Sequence, residues 1–179
     1  MTYSLIGLSG SLRREATNTR LLGEAARLFG AGDFTLGDLN LPLYDGDHED
    51  THGIPAQVQI LADQIAASDG VIISTPEYNS APSGVLKNAL DWISRTKGNP
   101  WNDKPVAVMS AAAGRAGGAR AQVMLRGFLV PFRPRILSGP ELHLAASATA
   151  FDDNGQLTSA AYTKTLQALM DRLRSEVAR

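Results

Sequence analysis

The chain has no cysteine, which excludes disulfides, thiol nucleophiles and thiolate metal sites. No apolar run is long enough to span a bilayer. The N-terminus lacks a basic region followed by a long apolar segment, so no secretion signal is expected and the reading is a cytoplasmic protein. Lysine is missing until Lys87, which removes the Gly-Lys-Ser/Thr ending of an NTPase phosphate loop. Gly7 and Gly10 begin something like a dinucleotide fingerprint, but the third glycine does not follow. Acid is missing from Pro105 to Pro140, a stretch that carries Arg115, Arg120, Arg126, Arg133 and Arg135. Net charge is nonetheless −1, so neither nucleic acid nor an anionic membrane is expected as a partner.

What remains is ordinary for a globular protein: 179 residues, 44% hydrophobic and 20% charged. That length fits one domain over residues 1–179 with a substantial core. The chain alternates strand and helix patterns. Tyr3 to Leu8 reads as a first strand. A helix follows from Thr17 to Phe29, with Leu21, Leu22, Ala25, Leu28 and Phe29 on one face and Gly30 as its stop. Phe34 to Leu39 reads as a second strand. Asp45, Asp47, Glu49 and Asp50 then form an acidic loop, expected to be mobile. His48 and His52 are four apart in it, which on a helix is half a metal site. Gly46, Gly53 and Pro55 argue against that helix, so no metal is expected. A helix from Pro55 to Ser68 turns Val58, Leu61, Ala62 and Ile65 inward.

Val71 to Thr75 is a β-branched run of the kind buried on both faces of a parallel sheet. Ser83 caps a helix reaching Thr96, and Val106 to Ser110 is a fourth strand. The next helix covers Ala119 to Leu129, with Val123, Met124 and Phe128 inward. Arg135-Ile136-Leu137 starts a fifth strand, irregular to Leu144, and a last helix begins near Thr158 or Ser159. Such alternation predicts a doubly wound parallel α/β sheet with helices on both faces. Ligands of such sheets bind at the carboxyl ends of the strands. Three polar turns fall there: Ser9–Asn18, Pro76–Asn79 and Ser110–Gly118.

The first turn is the best candidate for a phosphate. It carries hydroxyls and an arginine, and it opens a helix whose first N–H groups are free. Gly10 would let the backbone approach a ligand, and Arg13 would add a charged pair. The plainer reading is a strand-to-helix turn capped by Thr17 or Asn18.

Gly10-Ser11-Leu12-Arg13 with Asn18, paired with Pro76-Glu77-Tyr78-Asn79 and Leu86-Lys87-Asn88-Ala89-Leu90-Asp91-Trp92, resembles the NADPH-dependent FMN reductase family. This flavodoxin-like group includes quinone, chromate and azo-dye reductases. The resemblance continues through Ser110, Gly117-Gly118 and Phe151-Asp152 to the last helix. It implies a five-stranded sheet in the order 2-1-3-4-5, FMN as cofactor, NADPH or NADH as donor, a quinone-like acceptor, and a homodimer or homotetramer. By the family pattern Ser9, Ser11, Arg13 and Asn18 would hold the phosphate, with Leu12 and Thr17 in the same loop. Pro76, Glu77, Tyr78 and Asn79 would line the flavin ring, mainly through backbone atoms, and Ser110 and Gly114 would close its other edge.

Two departures stand out. Ala16 occupies a position where the family usually has serine, and Thr17 is the candidate to replace that hydroxyl. Ser80-Ala81-Pro82-Ser83-Gly84 displaces the family's proline by one position. No side-chain nucleophile or acid–base pair is required, since the flavin carries the chemistry. Lys87, Asn88 and Asp91 look catalytic but read as helix-face packing. The alternative is a flavodoxin-type electron carrier without its own substrate site. Such carriers are typically strongly acidic, which a net charge of −1 disfavours.

Overall fold

The computed structural model describes residues 2–179. β1 (Ser4–Ser9), β2 (Asp33–Gly37), β3 (Gly70–Thr75) and β4 (Pro105–Ala111) pair in parallel in the order β2-β1-β3-β4. Two short strands fill the fifth place. β5 (Arg135–Ile136) pairs with the start of β4, and β6 (Leu142–Leu144) pairs with its end. Pro140 lies in the gap, where a residue without an N–H cannot continue the ladder. The expected order 2-1-3-4-5 is thus present, with its last strand split.

Every residue of β3 and β4 is buried, as a sheet covered on both faces requires. Alternate residues feed two cores. Leu5, Ile72, Ala107 and Met109 pack on one face under α1 (Thr17–Phe29) and α6 (Ala160–Val177). Ile6, Leu8, Val71, Ile73, Val106 and Val108 pack on the other. That face is covered by α3 (Ala56–Ala67), α4 (Gly84–Ile93) and α5 (Ala119–Leu129). The register sets Ser9 beside Ser74 and Thr75 beside Ser110. The three polar turns therefore leave the sheet along one rim.

Two expectations need correction. The acidic loop is not a loop: Gly46–His52 forms a seven-residue helix, α2. No residue of it is buried, so hydrophobic periodicity gives no sign of it. Asp45 caps it by accepting from the Asp47 N–H at 2.9 Å. Glu49 ties it down, accepting from the Tyr44 hydroxyl at 3.0 Å and Arg95 Nε at 2.9 Å. His48 and His52 stack at 4.4 Å on this helix.

The second correction concerns α5, where Phe128 packs partly buried against the core as expected but Val123 and Met124 turn outward. Ala121, Gln122, Leu125 and Leu129 are buried, while Val123 is 68% exposed and Met124 41%. The reason is Gln122, whose Nε2 donates to Ser110 Oγ at 2.8 Å and Leu142 O at 2.6 Å. Those buried acceptors draw a polar residue inward and turn the apolar pair out.

Candidate functional site

A cavity of 510 Å³ opens where the three turns meet. Its wall includes Ser11, Arg13, Thr17 and Asn18 from the first turn, Pro76, Glu77 and Tyr78 from the second, and Ala111 to Ala113 from the third. That volume lies inside the ~300–1,000 Å³ range of small-molecule sites.

One end of the cavity is built around an uncapped helix. Ala16 is the N-cap of α1 and has no side-chain acceptor to give. Neither Thr17 nor Asn18 caps it. Thr17 Oγ1 donates instead to Ser147 Oγ at 3.1 Å. The backbone N–H groups of Thr17 and Asn18 find no acceptor among the described residues. Free first-turn N–H groups at the positive end of a helix dipole suit an anion. Arg13 lines the same end and makes no ion pair among the described residues. The Ser11 hydroxyl accepts from the Arg13 N–H at 3.4 Å, which shapes the turn.

Several expected site residues do other work. Asn18 is buried, and its Oδ1 accepts from Ser74 Oγ at 2.8 Å and the Ala111 N–H at 3.0 Å. Its Nδ2 donates to Ala111 O at 3.0 Å. The side chain thus clamps α1 to the ends of β3 and β4, and only its N–H is left for a ligand. Ser9 does not line the cavity; it accepts from Thr19 Oγ1 at 2.9 Å and supports the turn from below. Leu12 lies beyond the cavity, in a separate depression with Leu36. Ser110 is fully buried and donates to Gly117 O at 2.6 Å. Gly114 is exposed and outside the cavity. Gly10 admits protein, not ligand: a Cβ there would sit 2.8 Å from both Leu86 Cδ1 and Pro76 Cδ.

The second turn is a tight hairpin. Tyr78 and Ala81 exchange both backbone bonds, at 3.0 and 3.1 Å. Asn79 and Ser80 between them have φ of 52° and 65°, the signature of a type I′ turn. Asn79 therefore stands at the tip, away from the cavity, while Tyr78 is half exposed at its rim.

Sequence reasoning missed Glu15 and Arg20, which pair at 2.8 Å on the cavity wall, and Ser147 and Ala148. The last two follow β6, whose alignment with the end of β4 was the available signal.

The Lys87–Trp92 segment is structural. Asn88 Nδ2 and Trp92 Nε1 both donate to Pro42 O, at 2.9 and 2.7 Å, and Asn88 Oδ1 accepts from the Tyr44 N–H at 2.8 Å. Lys87 and Asp91 form an exposed ion pair at 2.6 Å. Together Asn88 and Trp92 fasten the crossover after β2 onto α4.

Comparison with known proteins agrees with the fold. The family model for NADPH-dependent FMN reductase matches residues 3–149. An NAD(P)H-dependent FMN reductase of Pseudomonas aeruginosa is 39% identical over 179 residues, covering 98% of this chain and 95% of that protein. A 2-hydroxy-1,4-benzoquinone reductase of a Burkholderia species is 36% identical, covering 96% of this chain and 94% of its own length. Among solved structures, a flavoenzyme NAD(P)H:(acceptor) oxidoreductase from Paracoccus denitrificans superposes with a TM-score of 0.88 at 32% identity. That match covers 99% of this chain and 98% of the other. With the motif pairs, the sheet order and these matches in agreement, the chain belongs to the NADPH-dependent FMN reductase family.

Proposed function

We propose that the protein is an FMN-holding oxidoreductase that takes hydride from NADPH or NADH and passes electrons to quinone-like acceptors. The observation that carries this reading is the uncapped N-terminus of α1 beside the unpaired Arg13, at one end of a cavity sized for a mononucleotide. In this reading the N–H groups of Thr17 and Asn18, the Ser11 hydroxyl and Arg13 hold the phosphate. Pro76 to Tyr78 and Ala111 to Ala113 form the walls of the ring site. The donor set fits FMN: cationic and N–H groups at one end, and small or flat surfaces at the other.

When bound, FMN supplies hydride acceptance and onward electron transfer. The protein's part is to orient the ring and to leave one face open to donor and acceptor in turn. Tyr78, half exposed at the rim, borders that open face. No side chain need exchange a proton.

We place the protein in the cytoplasm as a homodimer or homotetramer. Exposed Val123 and Met124 give α5 an apolar face, on the helix whose first turn bonds Glu77 of the cavity wall. A second copy is its occupant. The direct test of the function is spectral. Purified protein should carry a yellow chromophore released as FMN on denaturation, bleached by NADPH or NADH and recoloured by a quinone. A colourless protein that fails to bind added FMN would overturn the reading.

A further inference from the structure

Glu77 lines the cavity, yet its carboxylate is engaged elsewhere. Oε2 accepts from the backbone N–H groups of Arg120 and Ala121, at 3.1 and 3.4 Å. Oε1 accepts from Arg120 Nη1 at 3.3 Å. These are the opening N–H groups of α5, and α5 has no cap of its own. Its N-cap is Gly118, and its first turn holds no acid. The whole stretch from Pro105 to Pro140 is free of acid. The helix therefore takes its N-terminal carboxylate from a different turn, where charge and dipole favour it. The Glu77 side chain is only 13% exposed, so solvent screens this contact little. Arg120 is 68% exposed, and its ion pair adds little; the two backbone bonds are what matter.

From these contacts we infer that Glu77 is a positioning residue: by capping α5 it locks the Pro76–Ala81 hairpin to the Ala111–Gly118 turn. Those are the two walls of the ring site proposed above, on which this inference rests. Both parts so joined are stiff. The hairpin is closed by its own bond pair. At Gly118, with φ of 90°, a Cβ would lie 2.8 Å from Ser110 Cβ and 3.8 Å from Glu77 Cβ. Glycine there lets the start of α5 sit directly against Ser110 at the end of β4, with the Glu77 stem in ordinary contact beside it. Gly117 abuts the His143 carbonyl on the other side. With both pieces rigid, the Glu77 carboxylate sets their separation, and hence the gap that receives the flavin ring. The phosphate end, built on α1, does not depend on it.

The experiment compares Glu77→Ala, Glu77→Gln and Arg13→Ala in the full chain. It reads the dissociation constants of FMN and riboflavin by flavin fluorescence, and the visible circular dichroism of the bound flavin. Glu77→Ala should weaken FMN and riboflavin by the same factor, roughly five- to tenfold for a lost cap, and should alter the dichroism. Glu77→Gln keeps an acceptor oxygen and should restore most of both. Arg13→Ala should weaken FMN alone. A fall in thermal stability of Glu77→Ala with unchanged flavin affinities and dichroism would make Glu77 a helix cap and nothing more. A loss confined to FMN would also overturn the inference. If Arg13→Ala too leaves FMN binding untouched, the site assignment fails and not the coupling alone. Should Glu77→Ala not fold, Glu77→Asp, whose shorter stem falls short of α5, takes its place with the same expected outcomes.

Discussion

Arg13 and Asn18 sit on the same turn and do opposite work. Arg13 is exposed, lines the cavity and has no side-chain hydrogen bond or ion pair among the described residues. Arg13→Ala should weaken FMN binding roughly ten- to a hundredfold, the worth of about 1.5–3 kcal/mol for a charged hydrogen bond. The melting temperature of the apoprotein should hardly change. Asn18→Ala should do the reverse. It strands the Ser74 hydroxyl and both polar groups of the Ala111 backbone in the core, at roughly 2–4 kcal/mol. Calorimetry of the apoprotein would register that loss before any ligand is added. In the sequence the two residues look alike, as polar members of a turn. The difference is invisible there because the partners of Asn18 lie 56 and 93 residues away. Ser110 is hidden for another reason: its hydroxyl bonds Gly117 and Gln122, only 7 and 12 residues on, but the pairing exists only once the turn folds back on the end of β4.

Elements were legible where burial made them. α1 and α3 show apolar stripes at helical spacing, and the residues predicted to face inward are the ones buried or partly buried. β3 and β4 read as strands because both faces are covered. α2 carries no such mark, being held by a cap and by Glu49. That latch has a pH signature. The hydrogen bond to Glu49 raises the Tyr44 hydroxyl above its ordinary value of 10.0. The folded state thus binds this proton more tightly than the unfolded chain does. The latch is fully present below about pH 10 and is lost as pH climbs through the raised folded value. Tyr44→Phe should flatten the alkaline part of the stability curve relative to wild type and lower its neutral plateau. Parallel alkaline limbs in thermal melts from pH 8 to 11 would show that Tyr44 does not hold the helix.

At the scale of the whole molecule, the split between acidic and basic segments governs what approaches the rim. On the acidic side, Glu49 of α2 pairs with Arg95 and Asp45 caps the helix. Arg115 stands exposed on the Gly114–Gly118 turn and has no ion pair among the described residues. That turn directly follows Ala113, the last residue of its segment to line the cavity. Light scattering should find at least a dimer, and Val123→Asp on the exposed face of α5 should shift it toward monomer; an unaltered assembly would mean that α5 is not the contact. The donor tests the field itself. The 2′-phosphate that distinguishes NADPH from NADH is an anion suited to a guanidinium. NADPH should therefore be preferred modestly. Arg115→Ala should raise the KM for NADPH and leave that for NADH nearly alone, and the difference should shrink at high salt because an exposed pair is screened. An equal change with both donors, or none with either, would show that Arg115 does not read the phosphate and that donor choice is made elsewhere on the rim.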